Sequence, residues 1–140
     1  VSAILEPTTT AAVGMIAGSH YECQQGQAKL ILDRYALSSG DVFVVYSNSG
    51  ANALPVEMAL EAKVRGAMTV AVSSKAYAQQ APVTSSSGQI LIHVCDYVID
   101  NGVSPSQALL SFAKDGYRKI VVSRDFVADF GNTNNFIESW

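Results

Sequence analysis

Charge is scarce in this 140-residue sequence: only 15% of the residues are Asp, Glu, Lys or Arg, and the formal net charge is -3. No Lys/Arg cluster occurs, which excludes a nucleic-acid surface, because holding a phosphate backbone takes a concentrated positive field. A small anion needs only local donors and is not excluded. No apolar run reaches the roughly 18 residues that a bilayer crossing requires, and no basic start followed by an apolar stretch opens the chain. The expectation is a soluble, cytoplasmic protein without a membrane partner. Cysteine is limited to Cys23 and Cys95, far apart and without a second Cys or a His at a metal-ligand spacing. Both are expected as buried, reduced thiols, not a disulfide. His20 and His93 are the only histidines, so no metal constellation can be assembled. A Walker lysine, a G-x-G-x-x-G turn and a G-x-S-x-G elbow are all missing, so no nucleotide cofactor and no Ser-His-Asp triad is expected. The start at Val1 in place of Met fits a processed product or a fragment.

What is present is apolar: 49% of the residues are hydrophobic, enough for one domain over 1–140 to bury a core. The runs Val42 to Tyr46, Met68 to Val72 and Tyr97 to Asp100 read as strands, and Lys119 to Val122 as a fourth. Their apolarity is continuous, which predicts strands covered on both faces, as in a parallel sheet. Between the first two, Val56, Leu60 and Val64 recur at helical spacing, with Pro55 in the first turn and Gly66 past the last. The centre-to-centre spacing, about 26 residues, suits a β-α-β crossover. Upstream, Tyr21 to Tyr35 reads as one amphipathic helix burying Ala28, Ile31, Leu32 and Tyr35, ended by the turn Ser38 to Asp41. Downstream, Ser104-Pro105 predicts the start of a helix carrying Ala108, Leu109 and Phe112 towards Gly116. Thr84 to Gly88 reads as a loop. Asn132 to Asn135 reads as a polar turn before a last apolar edge of Phe136, Ile137 and Trp140.

The chemistry centres on Ser47-Asn48-Ser49-Gly50. A strand that ends there and leads into a helix brings backbone N–H groups and two hydroxyls to the positive end of a helix dipole, an arrangement that attracts anions. Gly50 permits close backbone approach, and Asn52 can cap the helix or donate to the same anion. These residues serve equally well in a plain turn and helix start. Met68 to Val72 ends in Ser73-Ser74 at the same edge of the sheet, where ligands of open α/β folds gather. Two hydroxyl-bearing loops on adjacent strands favour a ligand, and a site without Lys or Arg suits a small sugar phosphate better than a nucleotide.

The stretch from Gly40 to Asn52, followed by Pro55 to Lys63, resembles the central motif of SIS (sugar isomerase) domains, in particular a phosphoheptose-isomerase-like branch. The likeness extends back through Ile4 to Pro7 and Gly26 to Tyr35, and forward to Ser73-Ser74 and Tyr97 to Asn101. It implies a flavodoxin-like three-layer α/β sandwich with a mostly parallel sheet. It also implies homo-oligomers that bind phosphorylated sugars, with the phosphate held by the loops matching Ser47 to Asn52 and Ser73-Ser74. Three features depart from the family pattern. Its first strand and glycine-rich loop are missing, the segment from Asn101 to Lys119 is short, and Ala51 and Thr84-Ser85 replace a common Arg and an Arg-His pair. Aldose-ketose isomerisation needs a base. Glu57, expected in the first helical turn, and His20, expected at a helix start, are the candidates. Glu22 and Asp100-Asn101 have surface or turn roles as alternatives to a ligand role, and His93 is expected on a helix. The functional expectations are a sugar-phosphate isomerase, a non-catalytic binding module and, third, a truncated remnant that folds only in an oligomer because an open sheet without its first strand leaves an edge exposed.

Overall fold

Three parallel strands organise the chain in a computed structural model that describes residues 2–4, 6–9, 15–103, 110–112 and 120–122. They are β1 (Val42–Tyr46), β2 (Met68–Ser73) and β3 (Tyr97–Asp100), paired in the order β1-β2-β3. The crossover from β1 to β2 is α3 (Ala53–Val64); α4 (Lys75–Ala78) and α5 (Leu91–Val94) lie between β2 and β3. Before β1 come a 3-10 turn at Pro7–Thr9, α1 (Met15–Glu22) and α2 (Gln27–Leu32). This is the α/β, parallel-sheet architecture that the resemblance implied. The α3 helix ends as its sequence predicts, with Gly66 at φ 85 and its N–H on the Lys63 carbonyl at 2.9 Å.

Side-chain size decides how the helices meet the sheet. Phe43 and Val45 of β1, Ala71 of β2 and Val98 of β3 share one face. Against them α3 presents Val56, Ala59 and Ala62, all fully buried, and α5 presents Leu91 and Val94. Three alanines at this seam let the helix backbone approach closely. Ile31 and Leu32 of α2 close the core over Leu54 and Met58. On the opposite face Val42, Val44, Tyr46, Met68, Tyr97 and Ile99 are exposed. Continuous apolarity predicted cover on both sides; among the described residues α3 and α5 pack together on one side only.

Other expectations also need correction. The single helix from Tyr21 to Tyr35 is two, interrupted where Gly26 adopts φ 79 and the Glu57 carboxylate accepts its N–H at 2.8 Å. The helix expected after Ser104-Pro105 is contradicted at Leu110–Phe112, a strand (β4) paired antiparallel with Ile120–Val122 (β5). Non-local pairing has overridden local helical spacing there. Residues 104–109 and 123–140, including the expected last apolar edge, lie outside the described residues. Both cysteines are free, but Cys23 is exposed and Cys95 half-buried. Burial raises the Cys95 thiol pKa, against a smaller lowering by Thr69.

At the amino end of the sheet one carboxylate ties three elements together. Asp96 takes the Thr69 N–H and hydroxyl at 2.8 Å each and the Lys63 ammonium at 2.7 Å. Lys63, then the Thr69 N–H and hydroxyl, hold its pKa at about 2, against an ordinary 3.8. A carboxylate with a depressed folded pKa stabilises above its unfolded pKa and loses that contribution as pH falls through the folded one. Asp96→Asn is therefore expected to lower the urea midpoint at pH 6 and to flatten its decline between pH 3.8 and about 2. An unchanged acid slope would contradict this assignment.

Gly50, at φ 58, carries the second consequence. An added Cβ would lie 2.8 Å from Leu91 Cβ and 3.1 Å from Ser73 Oγ, while the Gly50 carbonyl accepts the Leu91 N–H at 2.7 Å. Gly50→Ala is expected to cost about 1–2 kcal/mol for the left-handed backbone alone, and more for pushing α5 away. Urea denaturation reads the loss, and an unmoved midpoint would contradict it.

Candidate functional site: the loop between β1 and α3

The carboxyl ends of β1, β2 and β3 are laced together by hydrogen bonds. Past Tyr46, the Ser47 N–H continues the ladder to the Val72 carbonyl at 3.1 Å. The chain then turns through Asn48, Ser49 and Gly50 into α3. Ser47 Oγ accepts the Gly50 N–H at 3.2 Å, and Ser49 Oγ accepts the Ala51 N–H at 3.4 Å. Both hydroxyls thus act as acceptors inside the loop. Among the described residues their own hydrogens have no acceptor, and neither do the backbone N–H groups of Ser49 and Asn52. The first N–H of α3, on Ala53, goes to Thr84 Oγ1 at 3.0 Å.

At the end of β2 the hydroxyls are used differently. Ser73 and Ser74 are fully buried. Ser73 Oγ donates to the Asn48 carbonyl at 3.1 Å and Ser74 Oγ to the Val103 carbonyl at 2.6 Å. Ser74 also caps α4 by accepting the Tyr77 N–H at 3.1 Å, and its own N–H reaches the Asn48 carbonyl at 3.0 Å. Asn101 adds a third tie, from Nδ2 to Asn48 Oδ1 at 2.7 Å. Asp100 accepts the N–H groups of Gly102 and Lys75, which lower its pKa in that order. Ser47, Asn48, Ser49, Gly50, Asn52, Ser73 and Ser74 therefore meet at one edge. Ser73 spends its hydroxyl hydrogen on the Asn48 carbonyl of the loop and Ser74 spends its own on the Val103 carbonyl, so among the described residues the outward donors come from the β1 loop.

The candidate acids and bases sit apart from their expected settings. Glu57 is the fifth residue of α3, beyond the first turn, and its carboxylate is the acceptor that holds Gly26. His20 is exposed in the last turn of α1, not at a helix start, because the helix begins earlier and ends at Glu22. His93 is exposed on α5. Glu22, expected on a solvated face, is half-buried and accepts from Asn52 Nδ2 at 2.8 Å; Cys23 Sγ lies 3.8 Å from Asn52 Oδ1. Thr84, expected in a loop and in place of an Arg of the family pattern, caps α3 from 31 residues away. No local spacing encodes either long-range contact. A cavity of 230 Å³, lined by Glu6, Tyr21, Leu30, Ile31, Arg34 and Leu54 among others, does not include the strand-end serines. Among the described residues no group of three metal-ligating side chains comes together, and no helix is long and apolar enough to cross a membrane.

Comparison with a family model reaches the same segment. A family model described as "SIS domain" matches residues 1–74, which include β1, α3, β2 and the whole loop between β1 and α3. A UPF0309 protein of Caldanaerobacter subterraneus subsp. tengcongensis is 40% identical over 115 residues, covering 82% of this chain and 47% of that protein. A UPF0309 protein of Thermoanaerobacter pseudethanolicus is 41% identical over 102 residues (73% and 41%), and one of Brucella ovis is 42% identical over 101 residues (71% and 40%). The chain spans less than half the length of these curated relatives. With more than half its residues matched by the family model, and the hydroxyl-rich loop inside that match, the chain belongs to the SIS domain family.

Proposed function

We propose that this chain binds a phosphorylated sugar, with the phosphate at the loop from Ser47 to Asn52. One observation carries the reading: the hydroxyl oxygens of Ser47 and Ser49 and the carbonyls of Asn48, Gly50 and Ala51 accept hydrogen bonds from the protein itself, and donors are left over. Ser47 and Ser49 keep their hydroxyl hydrogens, and the N–H groups of Ser49 and Asn52 are unpaired among the described residues. A phosphate dianion is acceptor-only on its free oxygens, so it complements such a loop. The start of α3 adds the positive end of its dipole. SIS family membership supports a carbohydrate derivative as the ligand. Ser73 and Ser74 serve this site as scaffold, fixing Asn48 from beneath.

A second reading, binding without turnover, is favoured by the setting of the carboxylates. Glu57 is engaged by the Gly26 N–H, and His20 stands at the exposed end of α1. No acid–base pair faces the loop among the described residues. In the isomerase reading, the base for proton transfer comes from elsewhere in the protein.

Thermal denaturation in the presence of C5 to C7 sugar phosphates, beside their dephosphorylated forms, tests the proposal. Only the phosphorylated forms are expected to raise the Tm. Ser49→Ala is expected to weaken their binding about 10- to 100-fold, the equivalent of about 1.5–3 kcal/mol for a hydrogen bond to a charged group. Ser73→Ala is expected to act first on stability. Equal stabilisation by both ligand forms, or full affinity in Ser49→Ala, would contradict phosphate binding at this loop.

A further inference from the structure

Asn52 occupies the N-cap of α3, yet its side chain makes no cap bond. Asn at this position ordinarily turns its oxygen back onto the N–H of the second or third helical residue. The third here is Pro55, which has no N–H, so Leu54 offers the cap its only target. The Asn52 amide instead faces away from the helix, with Nδ2 on Glu22 Oε2 at 2.8 Å and Oδ1 3.8 Å from Cys23 Sγ. A carboxylate only accepts, so Glu22 fixes which end of the amide it meets. Nearby, Glu57 of α3 holds the Gly26 N–H at 2.8 Å. The turn between α1 and α2 and the start of α3 thus exchange carboxylates, one from each side.

We propose that Glu22 is a positioning residue for the anion loop: by holding the Asn52 side chain away from the helix start, it keeps the Leu54 amide, the first-turn N–H of α3 that Thr84 does not take, open to phosphate. This rests on the loop reading given under Proposed function. Coulomb's law alone argues the other way, because a carboxylate beside the site repels a dianion and its removal tightens binding. The hydrogen bond and the charge therefore have opposite effects, and two substitutions separate them. Glu22→Gln removes the charge but keeps an acceptor for Asn52 Nδ2. Glu22→Ala removes both, which frees Asn52 to swing onto Leu54.

The experiment is calorimetric titration of the wild type and the variants with inorganic phosphate and with a pentose 5-phosphate. Glu22→Gln is expected to bind as tightly as the wild type or more tightly. Glu22→Ala is expected to bind about tenfold more weakly than Glu22→Gln, despite the same loss of charge. Asn52→Ser, which caps a helix well but is too short to reach Glu22, guards against a Glu22→Ala variant that fails to fold. It is expected to bind about tenfold more weakly, and adding Glu22→Ala to it is expected to cost nothing further. Equal affinity in Glu22→Ala and Glu22→Gln, or full affinity in Asn52→Ser, would overturn the positioning role and leave the loop reading intact. Absence of phosphate binding by the wild type would overturn both.

Discussion

The buried hydroxyl of Ser73, bonded to the Asn48 carbonyl at 3.1 Å, is the contact on which the carboxyl edge of this sheet depends. The same carbonyl accepts the Ser74 N–H, so one oxygen receives two donors, from the last residue of β2 and the one after it. Buried donors must find acceptors, and bonding those of Ser73 and Ser74 to Asn48 turns the Ser47–Asn52 backbone over the end of β2. Gly50 then lies against Ser73 and Leu91 in a conformation that a side chain would strain, and its carbonyl takes the Leu91 N–H. With the Asn48, Gly50 and Ala51 carbonyls directed inward, the N–H groups of Ser49 and Asn52 and two hydroxyl hydrogens remain for solvent or a ligand.

Distant segments complete the arrangement. Thr84 takes the first N–H of α3, and Glu22 takes the Asn52 amide, from 31 and 30 residues away respectively. The second contact draws the Asn52 side chain away from its usual capping role. The cluster of Val56, Ala59, Ala71 and Leu91 holds α3 and α5 on one face of the sheet and keeps these small polar contacts in register. Packing sets the positions of the elements, and hydrogen bonds set the direction in which the loop's donors point.

Much of this was legible in the sequence. The strands over 42–46, 68–73 and 97–100 follow their β-branched runs, and α3 follows its apolar spacing, with Gly66 closing it. The meeting of Ser47–Asn52 with Ser73-Ser74 at one edge follows from adjacent parallel strands. Whether a serine donates outward or inward is not legible, because that depends on a carbonyl 25 residues away for Ser73 and 29 for Ser74. The break at Gly26 escaped a reading based on apolar periodicity, since Ala28, Ile31 and Leu32 keep helical spacing on their own and the interruption is fixed by Glu57. The strand at Leu110–Phe112 escaped it for a similar reason, as its partner lies at Ile120–Val122.

Backbone amide shifts, followed by nuclear magnetic resonance during a sugar-phosphate titration, test the division of labour at this edge most directly. The account expects the largest movements at the N–H groups of Ser49, Asn52 and Leu54, with the N–H groups of Ser74 and Leu91 unmoved. Shifts centred on Ser74, or on the residues that line the cavity around Arg34, would contradict it.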